Sequence, residues 1–135
     1  MAAQPIQDLI PRYVAAWNDP DPVRQRAELD SLYAADGSIV MANGIFAGID
    51  AVARHVAQVH EEFIAARGYR FACGGAVGHH DSILFRWEMR EAASGELADA
   101  GMNLFILSAA GLIAGDYQFA LGVDSSIGSA GSAAP

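Results

Sequence analysis

Ile83-Leu84-Phe85-Arg86-Trp87-Glu88-Met89-Arg90 is the stretch on which the reading of the fold turns. Ile83, Phe85, Trp87 and Met89 recur at every second position, with Leu84, Arg86, Glu88 and Arg90 between them, so the segment is a strand with one buried face. Outward from it, turn residues come at regular intervals. His79-His80-Asp81-Ser82 joins it to a hairpin partner over 69–78, where Gly74, Gly75 and Gly78 mark a bulge or strong curvature. Ala93-Ser94-Gly95 leads on to a strand over 97–107, and Ala109-Ala110-Gly111 to another over 112–121.

Toward the N-terminus the period changes to that of a helix. Ile6, Leu9, Ile10, Tyr13, Val14 and Trp17 form one apolar stripe. Pro11 leaves two starts open: Asp8 caps a helix with the proline in its first turn, or the helix begins at Pro5 and kinks. Asn18-Asp19-Pro20-Asp21-Pro22 ends it and starts a second, with Asp21 as N-cap, running to about Tyr33. Ala34-Ala35-Asp36-Gly37 reads as a turn, 38–41 as a short strand, and Asn43-Gly44 with Gly48 as the frame of a loop. Asp50 opens a third helix carrying Val52, Val56, Val59 and Phe63, ending near Gly68. The whole is an α+β layout: a curved, cone-shaped antiparallel sheet wrapped around three helices, with a cavity at the mouth of the cone. Residues 1–124 form one domain, and 125–135, small and glycine-rich, a frayed tail.

Composition narrows the function. The chain of 135 residues is 53% hydrophobic, carries a formal net charge of -8 and has no lysine, which disfavours nucleic acid and anionic membrane as partners. One thiol, Cys73, and scattered histidines build no zinc site and no internal disulfide, so no metal is expected. His79-His80-Asp81 falls in a hairpin turn and reads as an exposed loop. No apolar leader or membrane-length run is visible, and the expected compartment is the reducing cytoplasm. No GxSxG elbow, HExxH helix or phosphate-cradling glycine loop is present.

The order ααβαββββ, with Arg12-Tyr13-Val14-Ala15-Ala16-Trp17-Asn18, Leu32-Tyr33-Ala34-Ala35-Asp36-Gly37 and Gly48-Ile49-Asp50-Ala51-Val52, resembles the nuclear transport factor 2-like (cystatin-like) superfamily. The resemblance is to its SnoaL-like and ketosteroid-isomerase-like members, over about residues 8 to 122. It implies an oxyanion-binding tyrosine at Tyr13, which spacing alone equally reads as a core tyrosine. The second oxyanion donor, an acid in ketosteroid isomerases, falls on Asn103, whose amide donates without a raised pKa. The general base and the proline after it fall on Met41 and Ala42, so the usual proton-abstracting carboxylate is missing. The resemblance also implies a homodimer formed through the outer face of the sheet.

Strand parity then singles out other groups. With Phe85, Trp87 and Met89 inward, the resemblance puts Asn103 and Asp99 on the inner face of the next strand, and Met102, Leu104 and Ile106 then point out. On the last strand Asp116 and Gln118 share a face opposite Ile113, Tyr117, Phe119 and Leu121. If Asp116 faces the cavity, desolvation raises its pKa and suits it to acid–base work; otherwise it is a solvated surface acid. His55, flanking the buried stripe of the third helix, is either a second proton carrier or a packed histidine. The reading is cofactor-independent isomerase, cyclase or dehydratase chemistry on a small hydrophobic carbonyl compound, polyketide- or steroid-like. Asp116, His55, Tyr13 and Asn103 would carry it, and Trp17, Met41, Val59, Phe63, Phe85, Trp87 and Met89 would line the cavity. The alternative is a non-catalytic binding or assembly domain of the same fold.

Overall fold

The computed structural model describes residues 6–127. Helices α1 (Ile6–Asn18) and α2 (Pro22–Leu32) are followed by strands β1 (Tyr33–Met41) and β2 (Gly44–Ala47). Helix α3 (Ile49–Val59) runs on into a π-helical turn, His60–Ala65, and strands β3 (Tyr69–His79), β4 (Ser82–Glu91), β5 (Leu97–Leu107) and β6 (Ile113–Ala120) complete the chain. The six strands form one sheet in the order β2-β1-β6-β5-β4-β3. β1 runs parallel to β6 and every other pairing is antiparallel, so the α+β architecture holds with a mixed sheet. Among the described residues no helix is long and apolar enough to cross a membrane.

The helix signals act as expected at α2, where Asp21 accepts the N–H groups of Val23 and Arg24 and Pro22 occupies the first turn. Helix α1 contains Pro11, so Asp8 lies within the helix and does not cap it; Pro5, the other proposed start, is outside the described residues. The stripe Leu9, Ile10, Tyr13 and Trp17 is buried. Asn18 fixes the end of α1 to the sheet, donating to the carbonyl of Phe71 at 2.9 Å and accepting its N–H at 2.8 Å.

Three local expectations are corrected. The 34–37 string is strand, not turn: β1 bulges between Tyr33 and Ser38, and a Cβ at Gly37 would lie 2.6 Å from the carbonyl oxygen of Ile113, so the missing side chain lets β1 close on β6. The expected loop over 43–48 is the second arm of a hairpin, with Met41 opposite Gly44 and Ile39 opposite Phe46. Ile113 is buried rather than opposite in face to Asp116, because the β5–β6 register slips between Ile106–Gly115 and Leu107–Ile113. That slip skips Ala114 and turns both Ile113 and Asp116 toward the helices.

Alternation along β4 buries Ile83, Phe85 and Met89 against the helices. Arg86, on the opposite face, is also buried (3% exposed). It donates to Glu88 and to the carbonyls of Ser125 and Ile127, so the first residues of the tail lie across the outer face of the sheet; residues 128–135 are outside those described. Around this, cross-strand pairing lines up Val77, Leu84, Leu104, Tyr117, Val40 and Ile45 in one apolar row across all six strands.

Candidate functional site

The site is built on the β6 bulge. Asp116, fully buried, receives the hydroxyl of Tyr13 from α1 at 2.7 Å and that of Tyr33, at the start of β1, at 2.6 Å, both on Oδ2. Asn103 Nδ2 on β5 donates to Asp116 Oδ1 and to Tyr13 Oη, each at 2.9 Å. Gln118, two residues along β6 on the same face, donates more loosely to Tyr13 Oη at 3.2 Å and Asp116 Oδ2 at 3.3 Å. Four neutral side chains thus surround one carboxylate with donors and no cation. Burial raises the Asp116 pKa to about 6, and the bonds from Tyr33, Tyr13 and Gln118 hold it from rising further. Burial first, and the Asp116 charge second, push both phenols well above the ordinary tyrosine value, so neither ionises readily. Asn103 Oδ1 is buried without a partner among the described residues. The rings of Phe85 and Phe105 wedge Tyr13 at 5.6 and 4.8 Å, edge-on, and fix the phenol's position.

In front of this cluster opens a cavity of about 760 Å³, lined mainly by apolar side chains. Tyr13, Asn103 and Gln118 reach its wall; Asp116 does not, because those three stand between it and the space. Of the expected lining residues, Trp17, Met41, Val59, Phe63, Trp87 and Met89 line it. Phe85 is a correction: it is fully buried behind the wall, packed on Tyr13 and Phe105. Trp87 lies across Gly101, where an added Cβ would overlap its indole and the carbonyl of Phe119.

His55 is on the cavity wall, half-buried, stacked on Phe46 (4.0 Å, 18°) and edge-on to Trp17 (6.1 Å, 81°). Burial lowers its pKa, favouring the neutral ring. No hydrogen bond or ion pair joins it to Asp116 among the described residues; Trp17 separates His55 from Tyr13, its ring 5.7 Å from the phenol. Tyr33 and Gln118 were not anticipated as parts of the cluster. Gln118 was within reach of parity, sharing Asp116's face; Tyr33 was hidden by its reading as the end of a helix. His79 and His80 are exposed beside the β3–β4 turn, and no group of metal ligands occurs among the described residues.

Comparison with known proteins fits this geometry. The model of the SnoaL-like domain matches residues 10–115. No curated protein matches the chain. Among solved structures, a candidate isomerase of the SnoaL-like family from Agrobacterium tumefaciens is similar with a TM-score of 0.77 and 25% identity, over 86% of this chain and 97% of that one. A candidate polyketide cyclase from Sinorhizobium meliloti aligns with a TM-score of 0.63 and 17% identity, over 82% of this chain and 93% of its own. A nuclear transport factor 2-like protein of unknown function from Exiguobacterium gives 0.64 and 22%, over 87% and 99%. With its helices packed inside a six-stranded mixed sheet and a family match over most of its length, the chain belongs to the SnoaL-like domain family.

Proposed function

We propose that this SnoaL-like domain is a cofactor-independent acid–base enzyme of the isomerase or cyclase type, acting on a small hydrophobic carbonyl compound. The observation that carries the reading is a sealed carboxylic acid with a pKa of about 6, linked at 2.7 Å to a tyrosine on the wall of an apolar cavity. When Asp116 is protonated, its O–H donates to Tyr13 Oη. The phenol's own hydrogen is then free to point into the cavity and bond a carbonyl oxygen. As that oxygen gains charge, Tyr13 gives up its proton and takes the one from Asp116, so charge ends on the carboxylate with Tyr33 and Asn103 already aimed at it. Neutral His55 accepts the proton from the carbon beside the carbonyl and returns it to another carbon. Met41 lines the cavity where the resemblance implies a base, so in this reading proton abstraction falls to the imidazole.

The test is deuterium exchange at the acidic carbon of a panel of hydrophobic ketones. Asp116→Asn and His55→Ala should each lower the rate by on the order of 10² or more, and Tyr13→Phe should cost a similar factor as a lost donor. Met41 also favours a second reading, a binding domain without a base. Exchange absent in the wild type but present in Met41→Asp would select it.

The same reading includes a second copy of the chain as the cover of the outer face. Tyr117 is 39% and Phe119 52% exposed, beside Leu84, Leu104 and Met102, an apolar surface seldom left open on a monomer. A twofold sheet-to-sheet contact would bury it.

A further inference from the structure

Among the described residues Asp99 is the one carboxylate on the wall of the cavity, and it takes no part in the acid–base cluster. It lies on β5 opposite Met89 and shares its face with Gly101 and Asn103. Its Oδ1 accepts the N–H of Ala100 at 2.9 Å, and no basic side chain among the described residues pairs with it. Several acids on the outer surface, Asp19, Glu28, Asp30, Asp50 and Glu88 among them, each hold an arginine. Arg90, beside Met89 on β4, is turned to the other face, bonded to Glu88 and the carbonyl of Gly95. Among the described residues no lysine or arginine lines the cavity, and the one histidine there is held toward its neutral form by burial. The indole of Trp87, lying over Gly101, therefore has an unpaired carboxylate on one side and the Asn103 amide on the other.

An unpaired acid on a mainly apolar wall is a ready partner for a cation that brings its own apolar body. The indole face beside it attracts the same kind of group, and the chain's net charge of -8 lowers the local potential for cations and raises it for anions. We infer that the ligand of this cavity carries a protonated amine, held by Asp99 against Trp87, while its carbonyl end reaches Tyr13 at the opposite side of Trp87. The inference rests on the reading of the cavity as the substrate site and adds the substrate's charge to it.

Three matched probes test it: 1-naphthylmethylamine, 1-naphthalenemethanol and 1-naphthoate, cation, neutral and anion, titrated calorimetrically at pH 7.5 and low salt. The amine should bind on the order of tenfold tighter than the alcohol, and the carboxylate weakest. Asp99→Asn should bring the amine to the level of the alcohol while the variant still binds the alcohol, which also reports that it is folded. In the wild type, added sodium chloride should shrink the amine's advantage and leave the alcohol unaffected. An amine no tighter than the alcohol, or an advantage that survives in Asp99→Asn, overturns the inference and leaves the acid–base reading standing. Lost exchange on neutral ketones in Asp99→Asn, with no amine preference, also overturns it and makes Asp99 part of the chemistry. Failure of all three probes to bind overturns both.

Discussion

Two aspartates on the inner face of one sheet sit in opposite environments. Asp116 on β6 is enclosed by Tyr13, Tyr33, Asn103 and Gln118 and never meets the cavity. Asp99 on β5 faces the cavity with only its neighbouring backbone N–H as a partner. The first end of the cavity is preorganised: the protein has already supplied every donor that a developing negative charge needs, and a substrate reaches that charge only through Tyr13. The second end is left incomplete, and in the inference above a ligand supplies the missing partner. On the proposed function, catalysis and recognition are divided between two strands that pair directly with one another.

The enclosure of Asp116 has the largest measurable consequence. A folded-state pKa raised to about 6 means that folding favours the protonated form; the stability it contributes is complete below about pH 4 and is lost as pH rises through 6. Urea titrations should find that the stability of the wild type relative to Asp116→Asn falls by roughly 2 kcal/mol between pH 4 and 7. A constant difference would mean that the carboxylate is not desolvated.

At the recognition end, the contact between Trp87 and Gly101 is the feature to break. Gly101→Ala places a methyl group against both the indole and a backbone carbonyl, and should cost roughly 1–3 kcal/mol in thermal or urea denaturation while weakening ligand binding. Unchanged stability would show that the indole lies elsewhere. Smaller still in its effect on folding, Tyr117→Arg on the outer row should change the stability of a protomer by no more than about 0.5 kcal/mol and yet convert dimer to monomer in light scattering. A wild type already monomeric at micromolar concentration would remove the dimer. The gentlest probe is fluorescence: a planar hydrophobic ligand should quench the wild type, and Trp87→Phe should lose most of that response, leaving the part due to Trp17.

The sequence reading succeeded where one residue pattern acts alone. The alternation on β4 and the β5 span over Leu97–Leu107 are as expected, because nothing but burial decides them. It failed where tertiary contact overrides turn chemistry: Ala34-Ala35-Asp36-Gly37 becomes strand because Gly37 admits the β6 backbone, and the Gly44–Ala47 arm forms because Phe46 stacks on His55. Within the site, the resemblance implies Tyr13 and Asn103, strand parity leaves Asp116 either inward or on the surface, and the structure brings all three within hydrogen-bonding distance. That Asp116 stands behind Tyr13, with Tyr33 as a second donor, depends on the bulges in β1 and β6, which parity counting cannot register.

The pH dependence of proton exchange tests the division of labour most directly. In the proposed mechanism, exchange of a hydrophobic ketone uses protonated Asp116 and neutral His55, so kcat/KM in the wild type should fall as pH rises above about 6. In Asp116→Asn the residual rate should lose that descending limb, because no carboxyl remains to titrate. A wild-type rate that stays level to pH 8, or a descending limb that persists unchanged in Asp116→Asn, would contradict the account.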